Sequence, residues 1–232
     1  MSDALQPPRV ELVVARFQED VKWLRHVPRA IRVHVYDKSG QSDSLYSALP
    51  NVGREAHTYL HHLVSHYEEL PDVLVFTQGH PFDHAPDMHK RLRAIAEGKE
   101  RISDFRWLGF LVDCDDALGA RLFQRWSKNP DARPLPMDSF WRDLFDREEM
   151  PETFTFFGGA QFAVARECVH RRPRAFYERA LNLAASLPDA AHCFERTWDR
   201  VFGVNGIPVA LRNQPLPIFL KPIRGRPPAG AS

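Results

Sequence analysis

The sequence predicts an α/β fold, with a single, mostly parallel twisted sheet and helices on both of its faces. Three observations favour this fold. Short apolar runs alternate with amphipathic helical patterns through the first half of the chain. The first run, VELVVARF, is apolar almost throughout, which is typical of a strand buried on both faces. Hydrophobic residues make up 44% of the 232 residues, so the chain can bury a sizeable core.

Apolar runs that end in polar or glycine-containing segments predict the strands. Four such runs follow one another in the first half of the chain: VELVVARF (10–17), IRVHVYDK (31–38), DVLVFTQG (72–79) and FRWLGFLV (105–112). The segment FTFFGGAQFAVAR (154–166) predicts two more strands, separated by a break at Gly158 and Gly159.

Helices are predicted where apolar residues recur at a spacing of three or four. The clearest pattern follows Asn51 and ends at Pro71, and its apolar face consists of Ala56, Leu60, Leu63, Val64 and Tyr67. Shorter helices are predicted around Trp23, over 138–145, from Pro173 to Leu187, and after Asp87 and Asp189, which are candidate N-caps.

The elements predict one α/β domain over residues 10–205. Residues 1–9 are polar and contain proline, so we expect a flexible lead-in. Residues 214–232 are rich in proline, glycine and arginine, and this composition predicts a disordered tail.

Charge and cysteine content bound the class of protein. The chain has 31 basic and 30 acidic residues, a net charge of +1, so nothing predicts nucleic acid as a partner. The sequence contains no apolar stretch long enough to span a membrane and no signal pattern at its start. Its three cysteines are widely spaced without a CxxC motif, which favours reduced thiols. We therefore expect a soluble, cytoplasmic protein.

Ligands of parallel α/β sheets collect at the carboxyl ends of the strands. That rule indicates three places: Ala15 to Asp20, Gln78 to His84, and Asp113 to Asp116.

The segment NVGRE (51–55) is the first candidate binding segment. Asn51 and Gly53 tolerate turn conformations, and a helix start beside Arg54 can cradle a diphosphate. The alternative is an ordinary Asn51 cap followed by a solvated turn at Arg54 and Glu55, which is common.

Two loops are candidate metal sites. In QGHPFDH (78–84), His80, Asp83 and His84 could hold a divalent cation, or the histidines could bind only the backbone. In DCDD (113–116), Asp113 and Asp115 could hold a metal bound to a nucleotide diphosphate, or the segment could be a solvated acidic turn.

Two histidine pairs on the predicted helix, His57 with His61 and His62 with His66, have the four-residue spacing that can bind one metal ion. Neither pair includes the glutamate of an HExxH motif. Ordinary, partly buried helix histidines explain both pairs at least as well.

Two candidate residues lie in the second half of the chain. Gln161, just after the glycine pair, could bind a polar substrate, and Glu195 beside Arg196 could stay ionised and act as a base. The alternative for Glu195 is a helix salt-bridge network around Trp198 and Phe202. The sequence lacks GxSxG, P-loop, GxGxxG and HExxH motifs, which argues against esterases, NTPases and Rossmann dehydrogenases.

Six segments in order resemble the family called domain of unknown function 3431: ELVVARFQEDVKWL, VYDK, LPNVGREAHTYLHHLV, FTQGHPFDH, GGAQFAVAR and ERTWDRVFG. The similarity spans about residues 10–203. That family in turn resembles the glycosyltransferase-A superfamily, so the resemblance implies a glycosyltransferase-A-like sheet and nucleotide-sugar chemistry.

The glycosyltransferase resemblance implies transfer of a sugar from a nucleotide-sugar donor to a small-molecule or glycan acceptor. By this resemblance Asn51, Arg54 and Glu55 bind the donor, and His80, Asp83 and His84 hold the diphosphate or a divalent metal, Mn or Mg. Gln161 then faces the acceptor, and Glu195 is the base.

The sequence departs from that superfamily at one important place. Where an Asp-x-Asp motif is expected, after the strand at 73–77, it has Gln78, Gly79 and His80. Either the loop histidines replace the aspartates, or Asp113 and Asp115 act instead, or no metal is used. Two other functions therefore stay open: a non-catalytic nucleotide- or sugar-binding accessory protein, and a metal-dependent hydrolase that uses the histidine-rich block.

Overall fold

The computed structural model of the chain describes residues 7–41, 45–126, 132–146 and 148–220. The strands are β1 (Val10–Arg16), β2 (Ile31–Asp37), β3 (Ser47–Ala48), β4 (Val73–Gln78), β5 (Phe105–Trp107), β6 (Leu111–Asp116), β7 (Thr153–Phe157), β8 (Phe162–Ala165) and β9 (Ile218–Phe219). The α-helices are α1 (Arg54–Ser65), α2 (Met88–Ala96), α3 (Phe123–Trp126), α4 (Met137–Phe145), α5 (Arg166–Val169), α6 (Arg174–Ser186) and α7 (Ala190–Val201).

Six strands form the main sheet, in the order β3-β2-β1-β4-β8-β5. The first four of these are mutually parallel, and β8 is antiparallel to both of its neighbours. This confirms the predicted α/β fold with a mostly parallel sheet. The prediction of a single sheet is wrong, because β7, β6 and β9 form a second, antiparallel sheet.

The second sheet arises where the chain crosses from one sheet to the other at glycines. FRWLGFLV, predicted as one strand, divides into β5 and the start of β6 at Gly109. A Cβ on Gly109 would lie 3.2 Å from the carbonyl oxygen of Gly158, which marks the break between β7 and β8. The two crossings therefore pack backbone against backbone, and only glycine fits there without displacement.

Both faces of the main sheet are buried, as the continuous apolar runs predicted. On one face, Leu12, Val14 and Val75 pack toward α2 and a 3₁₀ helix at Lys22–His26. The other face packs against α1, α6 and α7. Its centre is aromatic: the Phe162 ring lies 5.0 Å from the Trp198 ring, centroid to centroid.

The start of α1 differs from the predicted cap. The N-cap residue is Gly53 and not Asn51, and it has a left-handed conformation with φ +59°. A Cβ on Gly53 would overlap the carbonyl oxygen of Ala184 on α6, so the close packing of α1 against α6 requires glycine. Asp87 and Asp189 do occupy N-cap positions, as predicted, but neither side chain makes a cap hydrogen bond.

Several remaining predictions concern the chain ends, the thiols and membrane spans. Part of the predicted tail is ordered, since β9 pairs with β6, whereas residues 221–232, like residues 1–6, lie outside the described chain. Cys114, Cys168 and Cys193 are free and buried, as expected for reduced thiols. Within the described ranges, every helix is too short or too polar to cross a membrane.

Candidate functional site

The strand order creates a switch point between β1 and β4. From β1 the chain moves outward to β2 and β3, and it then returns to form β4 on the opposite side of β1. At such a point the loops after the two central strands diverge and leave a crevice at their carboxyl ends, where α/β sheets bind ligands.

A cavity of about 330 Å³ lies at this switch point, within the size range of small-molecule sites. It will be called the switch-point crevice. Its lining residues are Ala15, Arg16, Phe17, Glu19, Lys38, Asn51, Arg54, Glu55 and Gln78. The structure thus brings together Asn51, Arg54 and Glu55, the residues that the sequence predicted for donor binding, with the first two strand ends that the sequence indicated.

Three cationic side chains line the crevice. Arg16 is fixed by an ion pair with Asp37. Lys38 is buried and donates to the carbonyl oxygens of Val52 and Arg54, and its burial lowers the pKa of the ammonium to about 8. Arg54 is 64% exposed and so is the cation most available to a ligand.

The start of α1 points into the crevice. Two successive residues, Gly53 and Arg54, have positive φ angles of +59° and +47°. A left-handed arginine is strained by about 1–2 kcal/mol, and the bonds from Lys38 to the carbonyls on either side hold that backbone in place. The result is a helix N-terminus whose positive dipole end lies at the crevice, since its first two residues, Arg54 and Glu55, line the cavity.

Glu55 lines the crevice, and the charge of Glu195, which is not among the lining residues, is close enough to act on it. Burial raises the pKa of Glu55, and the nearby charge of Glu195 raises it further, although Arg54 opposes this shift. Glu195 accepts a 2.7 Å hydrogen bond from the Gly159 backbone on one oxygen. Its other oxygen lies 3.8 Å from Arg196 Nη1. The Glu195 carboxylate is thus held by the Gly159 backbone and by Arg196, whereas the surroundings of Glu55 favour its protonated form.

The loops after β1 and β4 support each other. Trp23 Nε1 donates to the Gly79 carbonyl oxygen at 2.8 Å, and Glu19 accepts the Phe17 backbone N–H at 2.7 Å. A Cβ on Gly79 would come within 2.7 Å of Glu19 Oε2. This packing leaves the Phe17 ring 41% exposed at the mouth of the crevice.

A second crevice of about 460 Å³ adjoins the first and shares Arg54 with it. Its walls are residues 52–54 and residues 184–192, which connect α6 to α7. Arg54 Nη1 lies 3.3 Å from His192 Nε2. Burial lowers the pKa of His192, with Arg54 and Arg196 adding to this effect against Glu195, so its imidazole can accept from Arg54.

The loop residues predicted as metal ligands lie apart from the crevice lining. His80 and Asp83 face each other across a short exposed turn, with 3.4 Å between Nδ1 and Oδ2. His84 instead packs under the glycine pair, where a Cβ on Gly159 would overlap its ring. Metal binding by these three residues stays a prediction.

Gln161 has a place in the core. Its side chain is fully buried, with Nε2 donating to the Pro81 carbonyl and Oε1 accepting from the Thr77 hydroxyl. These bonds use both ends of the amide to join β8 to the end of β4. The predicted contact with an acceptor would require that pair of bonds to break.

The alternative metal site at DCDD is engaged in structural bonds. Asp115 is fully buried and accepts two hydrogen bonds from the Arg196 guanidinium, at 2.6 and 3.1 Å. It also accepts the backbone N–H groups of Leu122 and Phe123. Asp113 pairs with Arg121. With its lone pairs occupied, Asp115 links β6, α7 and the loop before α3 rather than facing a ligand.

His57 makes the free energy of unfolding of the protein depend on pH. Burial lowers its pKa from 6.5 to about 4, with smaller contributions from Lys38 and His61. The unfolded chain therefore binds a proton that the folded chain excludes. The stability associated with neutral His57 should be complete above about pH 6.5 and should be lost as the pH falls toward 4.

Chemical denaturation of the wild type and of His57→Gln at a series of pH values measures this effect. The free energy of unfolding of the variant should decrease less over the window from pH 6.5 to 4. Parallel curves for the two proteins would show that His57 can be protonated without cost in the folded chain.

Sequence reasoning missed Lys38, Arg16 and Phe17 as crevice residues. The signal for Lys38 was present, since it directly follows β2 and so lies at a strand carboxyl end like the three places that were indicated. Phe17 and Arg16 fall within the stretch Ala15 to Asp20 that was indicated, but no sequence motif there identified them individually as binding residues.

The family described as "Protein of unknown function (DUF3431)" matches residues 12–213. The match covers most of the chain, including both crevices, so the chain belongs to this family. A search of curated proteins found no match.

Proposed function

We propose that this member of the DUF3431 family binds a nucleoside-diphosphate sugar in the switch-point crevice and transfers the sugar to an acceptor hydroxyl. The observation that carries the proposal is the crevice itself, which combines an exposed arginine, a buried lysine and a helix N-terminus at the switch point of a parallel sheet. The diphosphate and the nucleoside of such a donor each have a matching feature in the lining.

The diphosphate is proposed to lie against the start of α1. Backbone N–H groups at a helix N-terminus together with an arginine are a common anion site. Arg54 is exposed and lines both crevices, so it can contact a ligand that extends from one crevice into the other. Lys38 adds a fixed positive charge behind the backbone of the site.

The nucleoside is proposed to lie toward β1. The exposed Phe17 ring can stack on a base, a contact worth about 1–3 kcal/mol in nucleic-acid binders. The amides of Asn51 and Gln78 border the same crevice and can bond to ribose hydroxyls or base edges.

The sugar and the acceptor are proposed to meet beyond Arg54, in the second crevice. There an acceptor hydroxyl attacks the anomeric carbon, the bond from that carbon to the diphosphate oxygen breaks, and the hydroxyl proton passes to a carboxylate. Glu195 is the proposed base, because the Gly159 N–H and Arg196 hold its carboxylate in a fixed position.

The glycosyltransferase-A resemblance is part of this proposal. Three segments carry it: Ala15 to Asp20, Asn51 to Gly53, and the end of β4, and all of them border or approach the same crevice. A divalent cation, Mn or Mg, at His80, Asp83 and His84 also stays a proposal. The cationic lining can offset diphosphate charge with or without such an ion.

A specific observation favours a second candidate, a non-catalytic nucleotide- or sugar-binding protein. The strand end that carries two aspartates in the transferases has Gln78, Gly79 and His80 here. Fold likeness alone does not establish turnover. Such a protein would bind the same ligand in the same crevice. Because it would catalyse no transfer, replacing Glu195 would change no turnover rate.

Thermal unfolding of the purified chain against a panel of nucleoside diphosphates and nucleotide sugars, with and without Mn²⁺ or Mg²⁺, tests the proposal. A ligand that binds only the folded state adds about 2.7 kcal/mol of stability at a hundred times its dissociation constant. We expect at least one nucleotide sugar to raise the midpoint. No shift with any compound of the panel would overturn the proposal.

Arg54→Gln should weaken that nucleotide about 10- to 100-fold, because the variant loses a charge-assisted hydrogen bond to phosphate, worth about 1.5–3 kcal/mol. Arg93→Gln is the matched control, since Arg93 is exposed on α2, across the sheet from α1. Titration calorimetry measures both affinities. Equal affinities for the two variants would place the diphosphate elsewhere.

A further inference from the structure

We propose that Glu11, His34, His62 and His66 form a binding site for a divalent transition metal, with zinc as the expected ion. This His₃Glu cluster lies between the main sheet and α1. It is separate from the switch-point crevice, because His62 follows Arg54 by eight residues, which is about 12 Å along a helix. The proposal does not depend on the proposed transferase function.

Three elements bring the cluster together. Glu11 lies near the start of β1, and His34 on β2 pairs in register with Val13, the next residue on the same face of β1. Alternation along a strand therefore puts both side chains toward α1. Four-residue spacing places His62 and His66 on one side of that helix, directly over them.

The ligand atoms converge. Glu11 Oε2 lies 3.2 Å from His34 Nε2 and 3.5 Å from His62 Nε2. One nitrogen from each of the three histidines lies within 4.8 Å of the others. In a tetrahedral zinc site with bonds near 2.0–2.1 Å, neighbouring ligand atoms are about 3.4 Å apart. Within the described ranges of the chain, these three histidines are the only group of three or more potential ligands so close together, and Glu11 Oε2 is close to two of them.

The hydrogen bonding of the cluster is incomplete without a further partner. The Nε2 atoms of His34 and His62 are buried, and the described residue nearest to both is Glu11, whose Oε2 lies 3.2 and 3.5 Å away without the geometry of a good hydrogen bond. Buried polar atoms of this kind call for an explanation. Lone pairs directed at a common ion supply one, since a metal bond replaces the missing hydrogen bond.

A neighbouring side chain supports His62 as a ligand. The Tyr36 hydroxyl lies 3.0 Å from His62 Nδ1, on the side of the ring opposite Nε2. With Nδ1 protonated and donating to Tyr36, the lone pair of Nε2 is free for the metal. The other carboxylate oxygen of Glu11 faces Arg32, at 3.6 Å, which leaves Oε2 for the cluster.

The ligand set indicates a structural site. Four protein ligands complete a tetrahedron, whereas catalytic zinc keeps one position open for water. His62 is fully buried, and Glu11 is only 12% exposed. We therefore assign the ion the role of fastening the end of α1 to β1 and β2, rather than the hydrolytic role that the histidine-rich block first suggested.

The chain contains its own control. His57 and His61 have the same spacing on the same helix, and their rings are stacked at 6.3 Å with an interplanar angle of 15°. They lack a third ligand within the described chain that would place them in such a group. His61→Gln and His66→Gln are thus matched substitutions on the same helix, of which only the second removes a proposed ligand.

The test uses untagged full-length protein, freed of metal by dialysis against a chelator and titrated with zinc chloride by calorimetry. The wild type should bind one equivalent, and its thermal midpoint should rise. His66→Gln should bind at least about tenfold more weakly, and Tyr36→Phe about tenfold more weakly, the usual effect of removing a supporting group. His61→Gln should bind as the wild type does.

Absence of stoichiometric zinc binding by the wild type would overturn the proposal, and so would equal losses in His61→Gln and His66→Gln. His66 is partly exposed at the end of α1, so its variant should fold, and circular dichroism of the metal-free proteins verifies this. X-ray absorption of the zinc-bound wild type should show imidazole ligands. No nucleotide is present in these measurements, so their failure would leave the proposed transferase function untouched.

Discussion

Replacing Arg196 by methionine should lower the free energy of unfolding by about 3–5 kcal/mol. Arg196 is 3% exposed and donates twice to Asp115, which is itself fully buried. The Phe156 ring covers the guanidinium at 4.7 Å, so water has little access to the pair. Methionine fills much of the volume, but it leaves the Asp115 charge in the core with only backbone donors.

Urea denaturation followed by circular dichroism measures this loss. Arg200→Met is the matched control: Arg200 lies one turn later on α7, is partly exposed, and should change stability by less than about 1 kcal/mol. The double variant Arg196→Met with Asp115→Asn should be more stable than Arg196→Met alone, because asparagine removes the buried charge. A loss below about 1 kcal/mol in Arg196→Met would mean that the ion pair contributes little to stability.

This ion pair illustrates what the sequence can and cannot predict. Asp115 and Arg196 are 81 residues apart, and no sequence pattern around either residue predicts that they pair. The acidic run DCDD was therefore open to interpretation as a metal site or a solvated turn. Burial decides the question, and burial of a charged side chain becomes visible only when its partner is known.

The main sheet was predictable for a physical reason. Strands buried on both faces must be apolar at nearly every position, so β1 and β4 stand out from their surroundings. The second sheet was not predictable from periodicity. The apolar run around Gly109 continues without interruption while the backbone passes from β5 to β6, so the pattern contains no sign of a change of sheet.

The candidate crevice was located by topology more than by motif. The rule on strand carboxyl ends indicated Ala15 to Asp20, Gln78 to His84 and Asp113 to Asp116. Residues of the first two stretches border the cavity, and those of the third do not. In contrast, the His₃Glu cluster depends on register. Glu11 and His34 lie inside strands, and the residues next to them in the sequence do not indicate a ligand site. They come close to His62 only because β1 pairs with β2 beneath α1.

Replacing Glu195 by glutamine should lower the turnover number about 10²- to 10⁴-fold, the usual contribution of a general base. Release of nucleoside diphosphate from the donor identified by thermal unfolding measures this rate, with water as the acceptor. The amide keeps the size of the side chain and can still accept from the Gly159 N–H. The Michaelis constant for the donor and the nucleotide-induced stabilisation should therefore stay close to their wild-type values.

Glu178→Gln is the control for this substitution, because Glu178 is exposed on α6 and pairs only with its neighbour Arg174 within the described chain. Its turnover should equal that of the wild type. Glu55→Gln distinguishes the role of Glu55 from that of Glu195. Glu55 lines the donor crevice, so its loss should alter the Michaelis constant more than the turnover number.

The electrostatic interaction between the two carboxylates allows a further test. The charge of Glu195 is one cause of the raised pKa of Glu55, after burial. Glu195→Gln should therefore lower the pKa of Glu55, which carboxyl carbon NMR can follow. If Glu55→Gln abolishes turnover and Glu195→Gln does not, the base is Glu55, and its raised pKa would then serve catalysis directly. If the wild type releases no nucleoside diphosphate above background while the nucleotide still binds, the crevice belongs to a binding protein.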